Sequence, residues 1–379
     1  MNVLIITEVN SRRNYGGKEK FNRYLIKHLL NKGYKVIEYS LNFHTESNFN
    51  NIEYGNNYSF IVFPKKLSSS NLNWKMNQID KQIYEYCDSN NFDIIISSLH
   101  DDLKKTKTRK NFIYVTHNSP AGLLGWNNDN IFFKFKKLIK HFLGYTNQFK
   151  NLQNLVVPDY ETYKDLVKKT RKAKKIANIF VITWPHELDQ EDDNAFLDYE
   201  QIKKRQNDVI WVGRIYNKQK NIRYLNSVAN KLEKYNIKLH VYGNGPDKKF
   251  LNSSNVVFHG WLNDKNKLNI LSQYKFFVIV SNNEGSPLVL YESISCGVPI
   301  IGRKTFPNLS YLLKNNNGFL INKTANPKVF AKKINELMKI SNDEYYKIVQ
   351  QNITFYKQNL QINSFYEGWD KVLNKLTNT

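Results

Sequence analysis

The chain has 379 residues, and at about 150 residues per domain this length predicts two domains rather than one. Hydrophobic residues make up 41% of the chain, which excludes an intrinsically disordered protein. The 56 lysines and arginines outnumber the 33 acidic residues, so the formal net charge is +23. This excess excludes an acidic, calcium-buffering protein. It leaves nucleic acid, an anionic membrane, a phosphorylated small molecule or a plain compositional bias as its origin.

The cysteine content and the N-terminus indicate a compartment. The two cysteines, Cys87 and Cys296, are too few and too far apart for a disulfide framework, which favours a reducing environment. The apolar run Val3–Ile6 is too short for a signal peptide and is followed closely by Glu8. No stretch approaches the roughly 20 apolar residues of a membrane span. We therefore expect a cytoplasmic protein, with any membrane contact peripheral on the inner face of the cell membrane.

Short apolar segments alternate with amphipathic ones along the whole chain, which predicts a β-α series. The predicted strands are Val3–Thr7, Lys35–Leu41, Phe60–Phe63, Phe92–Ser98, Phe112–His117, Leu155–Pro158, Ile179–Trp184, Val209–Gly213, Lys238–Gly243, Val256–Gly260, Phe276–Ser281, Val298–Gly302 and Gly318–Ile321. Helical patterns lie between many of them, for example at Phe21–Lys32, Ile222–Lys234 and Pro327–Ile340. Because the series runs through twice, the sequence predicts an α/β protein with two doubly wound, Rossmann-like parallel sheets.

The segment Pro185–Gln206, which contains the acidic run Glu187–Asp193, separates the two series. It is interpreted as a linker, the alternative being an ordinary long surface loop. The boundaries that follow are an N-terminal domain at 1–190, a C-terminal domain at 205–355 and a C-terminal helix at 356–379 that crosses back to the N-terminal domain.

Ligands of open α/β sheets bind beyond the carboxyl ends of the strands, so residues that follow strands are the candidates for a site. Gly16 and Gly17 precede the first predicted helix, where backbone N–H groups could approach a phosphate, although a simple tight turn fits as well. His117 ends a strand and could bind a ligand or move a proton, although a lone histidine is more often structural.

The second half offers more charge after its strands. Arg214, Lys218 and Lys220 follow one strand and could bind phosphate oxygens, or form a solvated basic loop. The glycines at 243 and 245 follow the next strand and fit either close backbone approach or a turn.

The sharpest signal is the segment from Asn283 to Gly297. Ser286 is a good N-cap, Pro287 suits the first helical position and Gly297 suits the stop, so the sequence predicts a helix of about 10 residues. Its free N–H groups predict an anion site around residues 286–289. Glu284 and Glu292 flank that site, and eight helical residues span roughly 12 Å. This span exceeds the separation of about 5–9.5 Å between the two carboxylates of glycosidases. We therefore expect the two acids to bind different parts of one extended ligand.

These motifs together resemble glycosyltransferase family 4, retaining enzymes of the GT-B fold, in which two Rossmann-like domains face a cleft. Residues 284–292 resemble the family's E-x7-E signature. The match continues at 213–214, 243–246, 258–261 and 295–301, and 365–369 resembles the family's terminal helix. It is highly specific from 208 to 322 and looser from 1 to 186. Two departures from the family pattern, Pro158 where the family has a serine and Trp184-Pro185 at the end of the first domain, concern the acceptor side rather than the donor site.

The resemblance implies a role for each matching residue. The implied catalytic residues are Glu284 facing the donor sugar, His117 near the reacting sugar, and Arg214 and Lys220 neutralising the leaving diphosphate. Lys220 is preferred to Lys218 only because the residues after it continue the match. The implied donor-binding residues are Gly16, Gly17, Gly213, Gly243, Gly285, Ser286, Pro287, Leu288, Val289 and Glu292, with Glu292 on the ribose. No metal or other cofactor is expected, and the nucleotide sugar is a co-substrate.

The resemblance therefore implies a retaining hexosyltransferase or N-acetylhexosaminyltransferase. Its donor would be a nucleotide sugar, a UDP-sugar in preference to a GDP-sugar. Its acceptor would be a glycan, a lipid-linked molecule or a protein in surface polysaccharide or glycoconjugate synthesis. The alternative is a catalytically silent GT-B partner or chaperone subunit of an active transferase, but the donor-site charges that such a subunit should lose are all present. The signature argues against an epimerase of the same fold. Nucleic acid is not an expected partner, because no recognition module is present.

The positive charge concentrates in residues 101–180, which hold 17 lysines and arginines against 6 acids, a local net charge of +11. Within them, residues 131–144 form a helical pattern with apolar residues on one arc and lysines on the other. This is typical of a helix that lies on an anionic membrane, and equally of a helix packed on the first sheet with its lysines in water.

Overall fold

The computed structural model describes residues 1–8, 10–12, 17–41, 54–62, 72–99, 103–117, 149–184, 198–263, 266–313 and 317–377. These residues divide into two compact units. The first contains the described parts of 1–117, 149–184 and 363–377, and the second contains the described parts of 198–362. Gly16 and the predicted helix at 131–144 lie outside the described residues.

The first unit is built on a seven-stranded parallel sheet with the order β3-β2-β1-β4-β5-β6-β7. Its strands are β1 (Asn2–Thr7), β2 (Lys35–Ser40), β3 (Tyr58–Val62), β4 (Ile94–Ser97), β5 (Phe112–Val115), β6 (Asn154–Val157) and β7 (Asn178–Val181). Its helices in this part of the chain are α1 (Gly17–Asn31), α2 (Leu72–Ser89) and α3 (Tyr160–Lys169), with 3₁₀ turns at Thr106–Thr108 and Arg171–Lys175. Every residue of β4, β5 and β6 is buried, which explains why these strands are apolar on both faces.

The second unit has a six-stranded parallel sheet with the order β10-β9-β8-β11-β12-β13. Its strands are β8 (Gln206–Val212), β9 (Leu239–Tyr242), β10 (Val256–Gly260), β11 (Tyr274–Ile279), β12 (Ile300–Arg303) and β13 (Gly318–Ile321). Its helices are α4 (Tyr199–Lys203), α5 (Asn217–Lys220), α6 (Ile222–Leu232), α7 (Lys267–Leu271), α8 (Leu288–Ser295), α9 (Pro307–Leu312), α10 (Pro327–Met338) and α11 (Asn342–Asn359), with 3₁₀ turns at Glu233–Tyr235 and Lys248–Phe250.

The final helix, α12 (Ile362–Thr377), packs in the first unit from residue 363 onward. Phe365 and Trp369 place their rings 5.3 Å and 6.3 Å from the ring of Phe21 on α1. The Nε2 atom of His28 lies 2.7 Å from Asp370 Oδ1. Aromatic packing and this polar contact together fix α12 against α1.

All thirteen predicted strands are present, each within a few residues of its predicted bounds. In each sheet the strand order reverses once, between β1 and β4 in the first and between β8 and β11 in the second. The prediction of two doubly wound α/β sheets is therefore confirmed. Within the described parts of the chain, none of the helices combines the length and the apolar character needed to cross a membrane.

Candidate active site

The predicted site residues of the second unit lie at the point where its strand order reverses. Gly213 and Arg214 follow β8 directly, and Glu284 lies in the loop that follows β11. Because β8 and β11 are parallel neighbours, both loops leave the same edge of the sheet. This is the place where doubly wound sheets form ligand crevices.

The carboxylate of Glu284 is held from two sides by consecutive residues of α5. Lys220 Nζ lies 2.7 Å from Glu284 Oε1, and Gln219 Nε2 donates to Glu284 Oε2 at 3.0 Å. Glu284 is 6% exposed, so its carboxylate is largely desolvated. The cation of Lys220 and the amide of Gln219 offset the cost of this desolvation. The loops after β8 and β11 therefore meet through side chains that carry charge.

The backbone also joins these two loops. Asn282 donates its N–H to the carbonyl of Gln219 at 2.8 Å, and its Nδ2 donates to the carbonyl of Lys218 at 3.1 Å. The single turn of α5 ends at Asn221, whose φ of 56° is left-handed, a conformation that asparagine tolerates. This turn directs Lys220 to Glu284, while the side chain of Lys218 is exposed. The structure thus distinguishes Lys220 from Lys218. The sequence favours Lys220 only because the residues after it continue the family match.

Arg214 is exposed, with its guanidinium carbon 5.7 Å from the ring centroid of Tyr216. Among the described residues, no acidic side chain pairs with it. The two acids of the signature are each paired with one lysine, so Arg214 gives this edge of the sheet an excess of positive charge. An anionic ligand is the complement of such a site.

The start of α8 differs from the prediction. The helix begins at Leu288, and Pro287, with extended backbone, occupies the N-cap position without a side-chain cap. The prediction that Ser286 is the N-cap is wrong: its Oγ lies 2.5 Å from the hydroxyl of Tyr291 instead. Tyr291 also accepts a bond from Asn308 Nδ2 at 3.0 Å, so the serine is engaged by a side-chain network. Gly285 is buried, while Leu288 and Val289 in the first turn are half-buried.

Glu292, the second acid of the signature, lies within α8 and is 4% exposed. Lys267 Nζ, from the first residue of α7, lies 3.1 Å from Glu292 Oε1. Sequence reasoning missed Lys267 and Gln219, because neither belongs to a motif and both reach their acids only through the fold.

Two glycines permit close backbone approach in the second unit. Gly243 has a φ of +147°, and a Cβ there would lie 1.8 Å from the carbonyl oxygen of Gly213. A Cβ at Gly245 would lie 2.2 Å from the carbonyl oxygen of Ile215. Ile215 donates its N–H to Asn244 O at 2.8 Å, so the loops after β8 and β9 run in direct contact. Gly243 and Gly245 therefore have a packing role beside any contact with a ligand.

The end of α8 matches the prediction. Gly297 has a φ of +67° directly after the helix, as a glycine stop requires. Arg205 is 7% exposed, and its guanidinium donates to the carbonyls of Cys296 and Gly297 at 2.9 Å and 3.0 Å. A buried cation at the negative end of the helix dipole thus anchors the helix that carries Glu292.

The first unit carries the other predicted residues. Gly17 is exposed at the first position of α1, and next to it Lys18 Nζ lies 3.1 Å from Glu8 Oε2. His117 follows β5 and is 8% exposed, with its ring 4.9 Å from Phe21 and 5.1 Å from Trp184. This aromatic packing accounts for the position of His117 in the fold, and its predicted role toward the sugar stays a prediction.

The first unit also contains a polar cluster that sequence reasoning missed. Glu38 on β2 is fully buried and accepts bonds from the backbone N–H and the hydroxyl of Ser11 at 2.8 Å and 2.7 Å. Tyr58 donates to the same carboxyl at 2.7 Å, and Thr7 donates at 3.2 Å. Burial raises the pKa of Glu38, and the bonds from Tyr58 and Ser11 oppose that rise. The carboxyl fixes the residues that follow β1.

Metal binding can be examined within the described ranges. There, no group of three or more histidine, cysteine or acidic side chains could hold a metal ion. The expectation of a metal-independent reaction stays a prediction.

Residues 192–354 match the model of the family described as glycosyl transferases group 1. The matched segment contains Arg214, Lys220, Glu284 and Glu292, and over this segment the resemblance inferred from the sequence is confirmed.

One curated protein to which this chain is similar is Protein CapJ from Staphylococcus aureus. The two are 29% identical over 155 residues, which cover 37% of this chain and 37% of CapJ. The match therefore spans little more than a third of the length of that relative.

Solved structures of similar fold extend over the whole chain. WaaG, described as a glycosyltransferase involved in lipopolysaccharide biosynthesis, superposes with a TM-score of 0.70 at 13% identity and covers 100% of both chains. HepE from Anabaena, solved with UDP and glucose, gives a TM-score of 0.65 at 12% identity, covering 99% of this chain and 100% of HepE. At such identities the likeness shows the fold alone, and the predicted GT-B fold is confirmed.

Proposed function

We propose that this protein is a retaining glycosyltransferase that moves a hexosyl or N-acetylhexosaminyl group from a nucleotide sugar to an acceptor. One observation carries the proposal: Lys220 and Glu284, which follow the two strands at the reversal of strand order, meet at 2.7 Å. A cation and an acid at that point match a ligand that has both phosphates and hydroxyl groups. A nucleotide sugar has both.

Each charged residue then has a distinct partner on the donor. Arg214 and Lys220 neutralise the diphosphate, the guanidinium through two parallel bonds and the ammonium as a point charge. Glu284 accepts hydrogen bonds from hydroxyl groups of the donor sugar, and Glu292 accepts them from the ribose. Since charge develops on the diphosphate as it leaves, fixed cations lower the barrier.

The reaction requires no protein nucleophile. The acceptor hydroxyl oxygen forms its bond to the anomeric carbon on the face from which the diphosphate leaves. The bond between that carbon and the phosphate oxygen breaks, and a phosphate oxygen of the leaving group takes the acceptor's proton. The protein contributes positioning and electrostatic stabilisation. In this proposal His117, Gly16 and Gly17 keep the roles that the family resemblance implies. No step calls for a metal.

The preference for UDP-sugars over GDP-sugars is supported by HepE, a fold neighbour that was solved with UDP and glucose. The proposed acceptor is a glycan, a lipid-linked molecule or a protein in surface polysaccharide or glycoconjugate synthesis. WaaG, a fold neighbour whose description places it in lipopolysaccharide biosynthesis, supports this class.

The donor is tested first by thermal shift with UDP-, GDP- and other nucleotide sugars, because a ligand that binds only the folded protein raises its melting temperature. Transfer from the best donor is then measured with and without EDTA, and the anomeric configuration of the product is read by NMR. Glu284→Ala and Arg214→Ala should each nearly abolish transfer, and Arg214→Ala should also weaken nucleotide binding. Near-normal turnover in both variants would overturn the site, and an inverted product would overturn the retaining mechanism.

A further inference from the structure

Lys267 and Glu292 form an ion pair that no sequence motif predicted. Lys267 begins α7, Glu292 lies within α8, and the ammonium is 3.1 Å from the carboxylate. The side chain of Glu292 is 5% exposed and that of Lys267 is 17% exposed. The pair therefore lies largely out of water.

A buried carboxylate depends on its partner for both charge and orientation. Without a cation nearby, a buried carboxylate loses the interaction that offsets its desolvation and turns toward water. A carboxylate offers about four acceptor positions, so a bond from Lys267 is compatible with bonds from the hydroxyl groups of a ligand. Lys267 is thus in a position to hold the Glu292 carboxylate in one direction.

We propose that Lys267 is a positioning residue that makes the donor site selective for ribonucleotides. The inference rests on the proposed function, in which Glu292 accepts hydrogen bonds from the ribose hydroxyl groups of a nucleoside diphosphate. Lys267 holds the carboxylate in the orientation that two neighbouring hydroxyl groups require. A nucleotide that lacks one of them leaves a buried acceptor unpaired, and such sites reject the deficient ligand strongly.

The test compares the Kd of UDP with that of 2′-deoxy-UDP by calorimetry, or of the GDP pair if GDP binds more tightly. Wild type should prefer the ribonucleotide by at least about tenfold, as a lost hydrogen bond to a charged group implies. Lys267→Met should reduce this preference to about twofold or less, chiefly by weakening binding of the ribonucleotide. Lys267→Arg, which keeps the charge, should restore most of the preference.

A double-mutant cycle separates positioning from general damage to the fold. Glu292→Gln should lose the preference as Lys267→Met does, and the double variant should lose no more than either single one. Lys332→Met is the matched control, because Lys332 pairs with Glu336 at 3.9 Å on the surface of α10. That variant should keep both Kd values.

The outcomes distinguish this inference from the proposed function. An equal loss of affinity for both nucleotides in Lys267→Met would overturn the positioning role. Additive losses in the double variant would overturn it too. If Lys267→Met does not fold, the same ratio of Kd values is measured for Lys267→Gln. Failure of wild type to bind any nucleoside diphosphate would instead overturn the proposed function.

Discussion

Lys220 and Glu284, which follow different strands of the second sheet, form an ion pair with 2.7 Å between Nζ and Oε1. Both side chains are largely buried, at 14% and 6% exposure. Because an ammonium group has three N–H donors, Lys220 can bond a ligand phosphate while it stays paired with Glu284. The pair therefore links the predicted phosphate site to the predicted sugar site.

The first prediction concerns the choice between two lysines. Lys220→Ala should weaken binding of the nucleoside diphosphate by about 10- to 100-fold, the loss expected for hydrogen bonds to a charged group. Lys218→Ala is the control, because that lysine is exposed two residues away and should leave the Kd within about twofold. Calorimetry with UDP measures both. Equal losses in the two variants would contradict the assignment of Lys220.

The second prediction concerns the contact between the loops after β8 and β9. Gly243→Ala should destabilise the second unit by more than about 3 kcal/mol and prevent nucleotide binding, because the added Cβ would meet the carbonyl of Gly213 at 1.8 Å. Gly33→Ala is the control, since Gly33 also has a positive φ but nothing within 4 Å of a Cβ. It should lose only about 1–2 kcal/mol from backbone strain. Thermal unfolding compares the two, and similar losses would show that strain alone explains Gly243.

The third prediction concerns Arg205, which donates to the carbonyls of Cys296 and Gly297, directly after α8, and to the hydroxyl of Tyr345. Arg205→Met should lower the free energy of unfolding by about 3 kcal/mol, because three charge-assisted bonds are lost in a buried place. Arg205→Lys should recover part of the lost stability, because lysine keeps the positive charge. The recovery should be incomplete, because an ammonium group lacks the planar donor geometry of the guanidinium. Lys204→Met, at an exposed neighbouring position, is the control for thermal melting. A wild-type melting temperature in Arg205→Met would contradict the anchoring role.

The fourth prediction concerns pH and Glu38. Burial raises the pKa of this carboxyl above its ordinary value of 4.5. At a pH between the ordinary pKa and the raised pKa of the folded state, the folded state therefore binds more protons than the unfolded state. Its contribution to the free energy of unfolding is therefore full below pH 4.5 and decreases as pH rises through the folded pKa. Glu38→Gln should lack this dependence on pH. The difference in free energy of unfolding between wild type and the variant should therefore change in favour of the variant from pH 4 to pH 7. Urea unfolding at both pH values measures it, and a change in favour of wild type would contradict the shift.

The fifth prediction concerns the basic segment 131–144. If it lies on an anionic membrane, the protein should float with phosphatidylglycerol liposomes at low salt and be released at high salt. Changing Lys134, Lys136, Lys137 and Lys140 to glutamine should abolish flotation without changing the melting temperature. Absence of flotation at low salt would exclude the membrane role.

Local patterns were sufficient for the strands, because a buried parallel strand must be apolar on both faces and the sequence records that directly. Gly297 was also predictable, since only a residue that tolerates positive φ suits the helix stop. The N-cap at Ser286 was not, because Tyr291 takes the serine hydroxyl that the cap would use. A side-chain network of this kind overrides a local preference without leaving a sequence signal.

The order of the strands along the chain, the doubly wound class and the charged residues that follow β8 and β11 can all be read from the amino-acid sequence. The partners of those charges depend on the folded backbone: Gln219 and Lys220 for Glu284, and Lys267 for Glu292. The reason is physical. Strand and helix patterns are set by neighbours along the chain, whereas a buried carboxylate takes the cation that the folded backbone brings within about 3 Å of it.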